Sequence, residues 1–278
     1  MSATVEEVAE RARRGESAAL DELIRTLQPR MYGLALRMLW HPEDAKDATQ
    51  EILLRIVTHL ATFRGKSRFL TWAYRVGANH LLTWRKGRIE GQGFTFESFG
   101  KDLQEGLEEK SPRPDDMVLF QEIRVGCTLG MLLCLDRIHR ITYILGEILE
   151  IDSKDGASIL GVRRETFRKR LERSRQEIVR FMQKRCGLVN SNNGCRCHRR
   201  VQRALELKRV DRNRLLFAHD LVGASQFPNV LADIRKLEEA QRTVAIYRSH
   251  PDYAVPDFVT AVRHLLDLGG SEARKYPS

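Results

Sequence analysis

Long uncharged runs are missing from this sequence. The longest, Val125–Leu135 and Leu221–Ala232, stop well short of the roughly 20 apolar residues that a membrane-spanning helix needs, so no membrane insertion is expected. The N-terminus, MSATVEEVAERARRGE, lacks the apolar core of a secretory leader, and a cytoplasmic protein is expected. There is no internal repeat, phosphate-binding glycine loop, zinc-protease motif or nucleophile elbow. No catalytic set is therefore assigned. Cysteine is scarce, with five residues, and three of them crowd between Cys186 and Cys197. That distribution suits a metal or redox cluster better than a disulfide framework. Acids are outnumbered, giving a net charge of +10, which implies an acidic partner, either nucleic acid or an anionic membrane surface. With 42% hydrophobic and 30% charged residues over 278 positions, the chain can bury two or three globular cores.

What is present concentrates in a few stretches. Phe63 to Lys86, FRGKSRFLTWAYRVGANHLLTWRK, mixes Arg64, Lys66, Arg68, Arg75, Arg85 and Lys86 with Phe63, Phe69, Trp72, Tyr74 and Trp84. Cations alone would track a phosphate backbone, and rings among them can also stack on unpaired bases. The same residues suit a helix with an aromatic core face and a solvated basic face. Both readings stand at this point.

Taken in order, Thr4 and Glu7 form a capping box for a helix ending near Gly15. A second helix carries Leu20, Leu23, Ile24 and Leu27, is interrupted or kinked at Pro29, and continues through Met31, Leu34, Ala35 and Met38. Pro42 opens a third helix, with acids in its first turn. There Ala45, Ala48, Ile52 and Ile56 share a core face, while Asp47, Gln50, Glu51, Leu54 and Thr58 project elsewhere. That outer surface is either solvated or a partner interface. Residues 1–87 read as one compact helical domain. Residues 88–116, rich in Gly, acids and Pro, read as a linker, acidic enough to stay off DNA phosphates.

Helical patterning resumes at Met117 and runs to about Glu150, with Leu132, Leu135, Ile138, Ile141, Ile144, Leu145 and Ile148 as core positions. A short helix from Ser153 to about Leu160, the turn Gly161-Val162, and a long basic helix from Arg163 to about Lys184 make a helix-turn-helix. On the long helix, Phe167, Leu171, Ser174, Ile178 and Phe181 set the buried stripe. Gly161 to Arg209 holds 16 Lys or Arg against 4 acids, a surplus larger than the whole chain's. Coupled to a helix-turn-helix, this points to DNA.

Beyond it lies CGLVNSNNGCRCHRR. Cys186, Cys195, Cys197 and His198 are the ligand types of a closed tetrahedral zinc site, although the spacing is not a standard paired CxxC. A thiol redox switch and inert thiols are the alternatives. Residues 186–278 read as a cysteine-containing segment and a helical appendage. It contains a helix from Val230 to Tyr247, with Val230, Leu231, Ile234, Leu237 and Val244 on its apolar face, and a final helix from about Asp257 to Leu268.

HPEDAKDATQEILLRI, the basic aromatic stretch and ITYILGEILEIDSKDGASILGVRRETFRKRLERSR together resemble the extracytoplasmic-function (ECF) sigma factors of the sigma-70 family. The resemblance covers roughly residues 18–185 in the family's order. It implies an all-α protein of two helical domains, the first for polymerase binding and promoter melting and the second a helix-turn-helix, with no enzymatic activity and no required cofactor. Asp47, Gln50 and Glu51 fall on the family's DxxQE positions, which dock on the clamp helices of the beta-prime subunit of core RNA polymerase, and Leu54 joins them. Arg64, Lys66, Trp72 and Asn79 fall where the minus-ten element is captured. Arg164, Arg168, Lys169 and Arg173 fall where the minus-thirty-five duplex is read, Arg being suited to guanine O6 and N7. An anti-sigma factor is a further candidate partner. Asp136 replaces a usual Pro, Gly156 a usual Ile and Glu165 a usual Gly. Gly156 is expected to loosen its helix by about 1 kcal/mol and leave a core gap. A stand-alone helix-turn-helix regulator is the competing reading, and a nuclease-like enzyme comes after it.

Overall fold

The computed structural model describes residues 3–85, 91, 93–107, 117–218 and 221–273, and for residues 221–227, 239, 240 and 268–273 the backbone alone. The described elements are helical, with no named strand among them. They form two compact units. One takes in residues 1–88, 153–164 and 255–278, the other residues 89–152 and 165–254.

The first unit is built on three helices, α1 (Val5–Arg13), α2 (Ser17–Leu39) and α3 (Pro42–Thr58). The Thr4 hydroxyl accepts from the Glu7 N–H, and the Glu7 carboxylate accepts from the Thr4 N–H at 2.8 Å, so α1 starts where its capping box lies. Helix α2 runs unbroken through Pro29. Proline removes one N–H donor and crowds a carbonyl, but Pro29 is exposed while Leu23, Ile24, Leu27, Met31, Leu34 and Ala35 are buried on the other side. The loosened turn faces water and packing holds the rest. Trp40 closes α2 at φ +69°, a conformation costly for any residue with a Cβ, and donates its N–H to the Leu36 carbonyl at 2.8 Å.

Helix α4 (Phe69–Thr83) completes the core of this unit. Its first turn has no cap from its own sequence. Instead Glu6 of α1 accepts the Phe69 N–H at 3.2 Å, a negative charge at a helix N-terminus. Two later stretches join the unit. Helix α8 (Ser153–Leu160) packs on α4, with Asp155 paired to Arg68, and it forms with Gly156 in its interior. Helix α13 (Val259–Ala273) returns to α2 and α3. Just before it, Phe258 is buried beside Tyr32, with rings 6.3 Å apart. Arg263 pairs with Asp21 at 2.8 Å and donates to the Ser17 carbonyl.

The second unit holds α5 (Phe96–Asp102), α6 (Met117–Leu133), α7 (Arg137–Tyr143), α9 (Arg164–Arg185, from its second residue), α10 (Val201–Glu206), α11 (Leu221–Lys236) and α12 (Glu239–Arg248). Helix α5 lies inside the stretch expected to be linker. Thr95 caps it, and Phe99 is buried with its ring 6.0 Å from Phe181 of α9. Residues 88–90, 92 and 108–116 of that stretch lie outside the described residues. The expected core positions of α6, α7 and the π-helical turn Ile144–Ile148 are buried, with one exception: Ile138 is 44% exposed. Asp136 caps α7 by accepting the His139 N–H at 2.9 Å, and Ile138 lies on the outer side of that first turn. Arg140 is buried in its place and donates to the Leu132, Leu133 and Leu135 carbonyls at the end of α6.

The helix expected from Val230 to Tyr247 is two helices, α11 and α12, broken at Leu237 and Glu238. Arg242 of α12 donates to the Arg235 and Leu237 carbonyls, both at 2.8 Å, so the break is closed by a side chain. By compactness the described residues of 186–254 fall in the second unit and α13 in the first.

Candidate functional site

On α3, helical spacing separates two faces. Ala45, Ala48, Ile52 and Ile56 are fully buried, whereas Asp47 and Glu51 are exposed and Gln50 and Leu54 half-exposed. Asp47, Gln50, Glu51 and Arg55 line one wall of an open groove of about 590 Å³, and His80, Thr83, Trp84 and Arg85 line the other. His80 is buried beneath Glu51, its Nε2 3.6 Å from the carboxylate and its ring edge-on to Trp84 at 4.9 Å. Burial, helped by the nearby Arg55 charge, holds His80 below the usual imidazole range, and Glu51 opposes this. The groove thus offers carboxylates, an amide and a ring edge to a partner. His80 and Trp84 were not singled out for this surface from sequence. They lie some thirty residues from the DxxQE positions, and only the packing of α4 on α3 brings them there.

The basic aromatic stretch divides between its two readings. Phe69 and Tyr74 are core, and burial pushes the Tyr74 hydroxyl pKa up. Arg64, Lys66 and Asn79 are exposed, the first two flanking a turn at Gly65 with φ +66°. Trp72 is half-exposed and rests on Phe63 and Phe69, with ring centroids 5.6 and 5.5 Å away. One face of that ring is structural, and what remains is open to a planar ligand.

Helices α8 and α9 are joined by residues 161–163, with Gly161 at φ +63°. Phe167, Ser174, Ile178 and Phe181 of α9 are buried, and Leu171 is half-buried beside Gly146, where a Cβ would meet its methyl at 2.7 Å. Arg164, Arg168, Lys169 and Arg173 are all exposed. Three of them have local partners: Arg164 donates to the Ser153 hydroxyl at 2.7 Å, Lys169 pairs with Glu165 at 2.8 Å, and Arg173 pairs with Glu177 at 3.1 Å. Exposed pairs of this kind are weak enough to be exchanged for phosphate or base contacts. Glu165, in the first turn, also complements the helix dipole.

Cys186, Cys195 and Cys197 are free thiols, each half-buried. Cys186 and Cys195 face each other across a backbone bridge. His198 lies against Phe120, 6.1 Å between ring centres. No helix among the described residues is long and apolar enough to cross a membrane.

The family description Sigma-70 region 2 matches residues 23–88, which take in most of α2, all of α3 and all of α4. The chain is 28% identical over 176 residues to the ECF RNA polymerase sigma factor SigE of Mycolicibacterium smegmatis, covering 61% of this chain and 65% of that protein. It is 26% identical over 166 residues to the RNA polymerase sigma factor YlaC of Bacillus subtilis, covering 60% of this chain and 93% of that one. Against the RNA polymerase sigma-H factor of Pseudomonas aeruginosa it is 28% identical over 184 residues, 64% of this chain and 93% of the other. More than a third of the chain lies outside each of these matches. Residues 23–88 thus match Sigma-70 region 2, and over about 60% of its length the chain is similar to sigma factors, the extracytoplasmic-function type among them.

Proposed function

We propose that this protein binds core RNA polymerase and directs it to particular promoters, without catalysing a reaction of its own. The α3 face with Asp47, Gln50, Glu51 and Leu54 docks on the clamp helices of the beta-prime subunit. The loop with Arg64 and Lys66, together with Trp72 and Asn79, takes bases of the minus-ten element. Arg164, Arg168, Lys169 and Arg173 read the minus-thirty-five duplex. The protein would work in the cytoplasm, and an anti-sigma factor, where a cell makes one, would act by covering the α3 face.

One observation carries this reading. The residues that match Sigma-70 region 2 are those folded as α2 to α4, and within them the DxxQE residues face outward while their helical neighbours fill the core. A stand-alone helix-turn-helix regulator has no need of that surface.

Replacing Gln50 with Ala and Glu51 with Lys tests it. Binding to core polymerase should weaken in a co-purification assay, with helicity unchanged, because Glu51 is itself exposed and its pair with Arg55 is a surface pair of little weight. Normal helicity with undiminished core binding would remove the reading.

A further inference from the structure

The groove between α3 and α4 is lined in part by a buried polar atom without a hydrogen-bond partner, Nε2 of His80. His80 is only 6% exposed, and this nitrogen stands 3.6 Å from the Glu51 carboxylate, just beyond a hydrogen bond. Leaving a buried donor or acceptor in that state is costly.

Packing fixes the imidazole where it is. Gly77, one turn earlier on α4, lets that helix come down onto α2 and α3. A Cβ there would stand 3.2 Å from the Met31 sulfur and 3.6 Å from a methyl of Ile52, the residue next to Glu51. Trp84, one turn later, meets the imidazole edge-on at 4.9 Å and carries the Arg85 guanidinium 5.9 Å from its own ring centre. Glu51 is freer. It is exposed, and its other neighbour, Arg55, is a surface pair at 3.9 Å, weak enough to exchange. A shift of its carboxylate by about 0.7 Å makes a full hydrogen bond to His80.

We propose that His80 is a positioning residue of the polymerase-docking face: it donates from Nε2 to one oxygen of Glu51 and so presents the other to a cationic side chain of the polymerase. The inference rests on the reading of α3 as that face. The imidazole must be neutral to do this, because a charged one would neutralise Glu51 and repel the incoming cation. Burial, and after it the Arg55 charge, keeps His80 below the usual imidazole range against the pull of Glu51. Those two α3 residues are the charges acting on it, with Asp47 of α3 and Arg85 beyond α4 lining the same groove. A partner cation beside Glu51 lowers the His80 pKa further. By linkage, docking is strongest above the folded pKa and weakens as pH falls through it.

Binding of the full chain to purified core polymerase, titrated between pH 7.5 and 5.5, tests this. At pH 7.5 His80→Leu should weaken binding about tenfold, the loss of one hydrogen bond to a charged group. His80→Gln, whose amide donates from a similar place and takes up no proton, should recover most of that. On going to pH 5.5 the wild-type dissociation constant should rise about threefold relative to that of His80→Gln. Titration of the polymerase itself is common to both and cancels in this ratio. Should His80→Leu lose helicity, the ratio alone decides. A constant ratio, a folded His80→Leu that binds like the wild type, or a His80→Gln no better than His80→Leu would each overturn the role of His80. The double change of Gln50 to Ala and Glu51 to Lys, measured alongside, separates the two readings. If it weakens binding while the ratio stays constant, the role of His80 alone is lost, and if it leaves binding undiminished, the docking face is lost as well.

Discussion

Several arginines that contribute to the net charge of +10 are structural. Arg140 binds the last carbonyls of α6, Arg242 the Arg235 carbonyl near the end of α11, and Arg124 the Ile246 and Ser249 carbonyls at the end of α12. Arg200, counted in the basic run, donates to the Asp102 carbonyl at the end of α5. Helix ends leave carbonyls without partners, and a buried guanidinium can serve several at once. Periodicity cannot show this, because it assigns Arg to water by type, and for the same reason Ile138 was expected inside. Arg140→Met should lower stability by about 3 kcal/mol or more, since it strands buried acceptors. Ile138→Ala should stay within about 0.5 kcal/mol. Urea unfolding followed by circular dichroism compares the two. His80 gives a pH dependence of known sign. Its folded pKa is depressed, so its contribution is present above the unfolded value of about 6.5 and is lost as pH falls through the folded one. The charges facing it are Glu51 and Arg55 of α3, with Asp47 and Arg85 elsewhere around the groove. The urea midpoint of the wild type should therefore drop more between pH 7.5 and 5.5 than that of His80→Gln.

At the scale of elements, most helices were legible because an apolar stripe, a cap and a stop signal agreed. Thr4, Pro42 and Gly161 mark boundaries that the structure keeps within a residue or two. Helix α5 was missed because seven residues are too short to show a period and its partner, Phe181, is some eighty residues away. The break between α11 and α12 was missed because Arg242, not a Gly or Pro, makes it. The candidate surfaces were legible as residue lists, and the structure adds which residues are outward. That sorting separates the work of two helices. Arg168→Ala on α9 should cost about 1–3 kcal/mol at one base pair of the upstream element, measured by competition between promoter variants. Trp72→Ala on α4 should leave duplex binding by the holoenzyme nearly unchanged and reduce permanganate reactivity in the opened region. Normal opening by that variant would make the ring wholly structural.

At the scale of the molecule, the chain returns to its beginning. Phe258, 1% exposed, enters the first unit beside Tyr32 and takes its N–H partner from Gln28. Phe258→Ala should cost that unit about 3–5 kcal/mol, and the early part of a thermal melt should shift accordingly. Sequence order hides this, because nothing in an amphipathic stripe names its partner. The same route has a consequence during synthesis. Domains fold largely as they leave the ribosome, N-terminal part first, yet the place that receives Phe258 and Arg263 is made more than two hundred residues before its occupant. Throughout that interval the nascent chain carries α2 with an uncovered apolar seat, open to chaperones or to α2 of a neighbouring chain. Only when residues 255–273 arrive is that seat covered, so translation of the last helix is also the closing step in assembling the first domain.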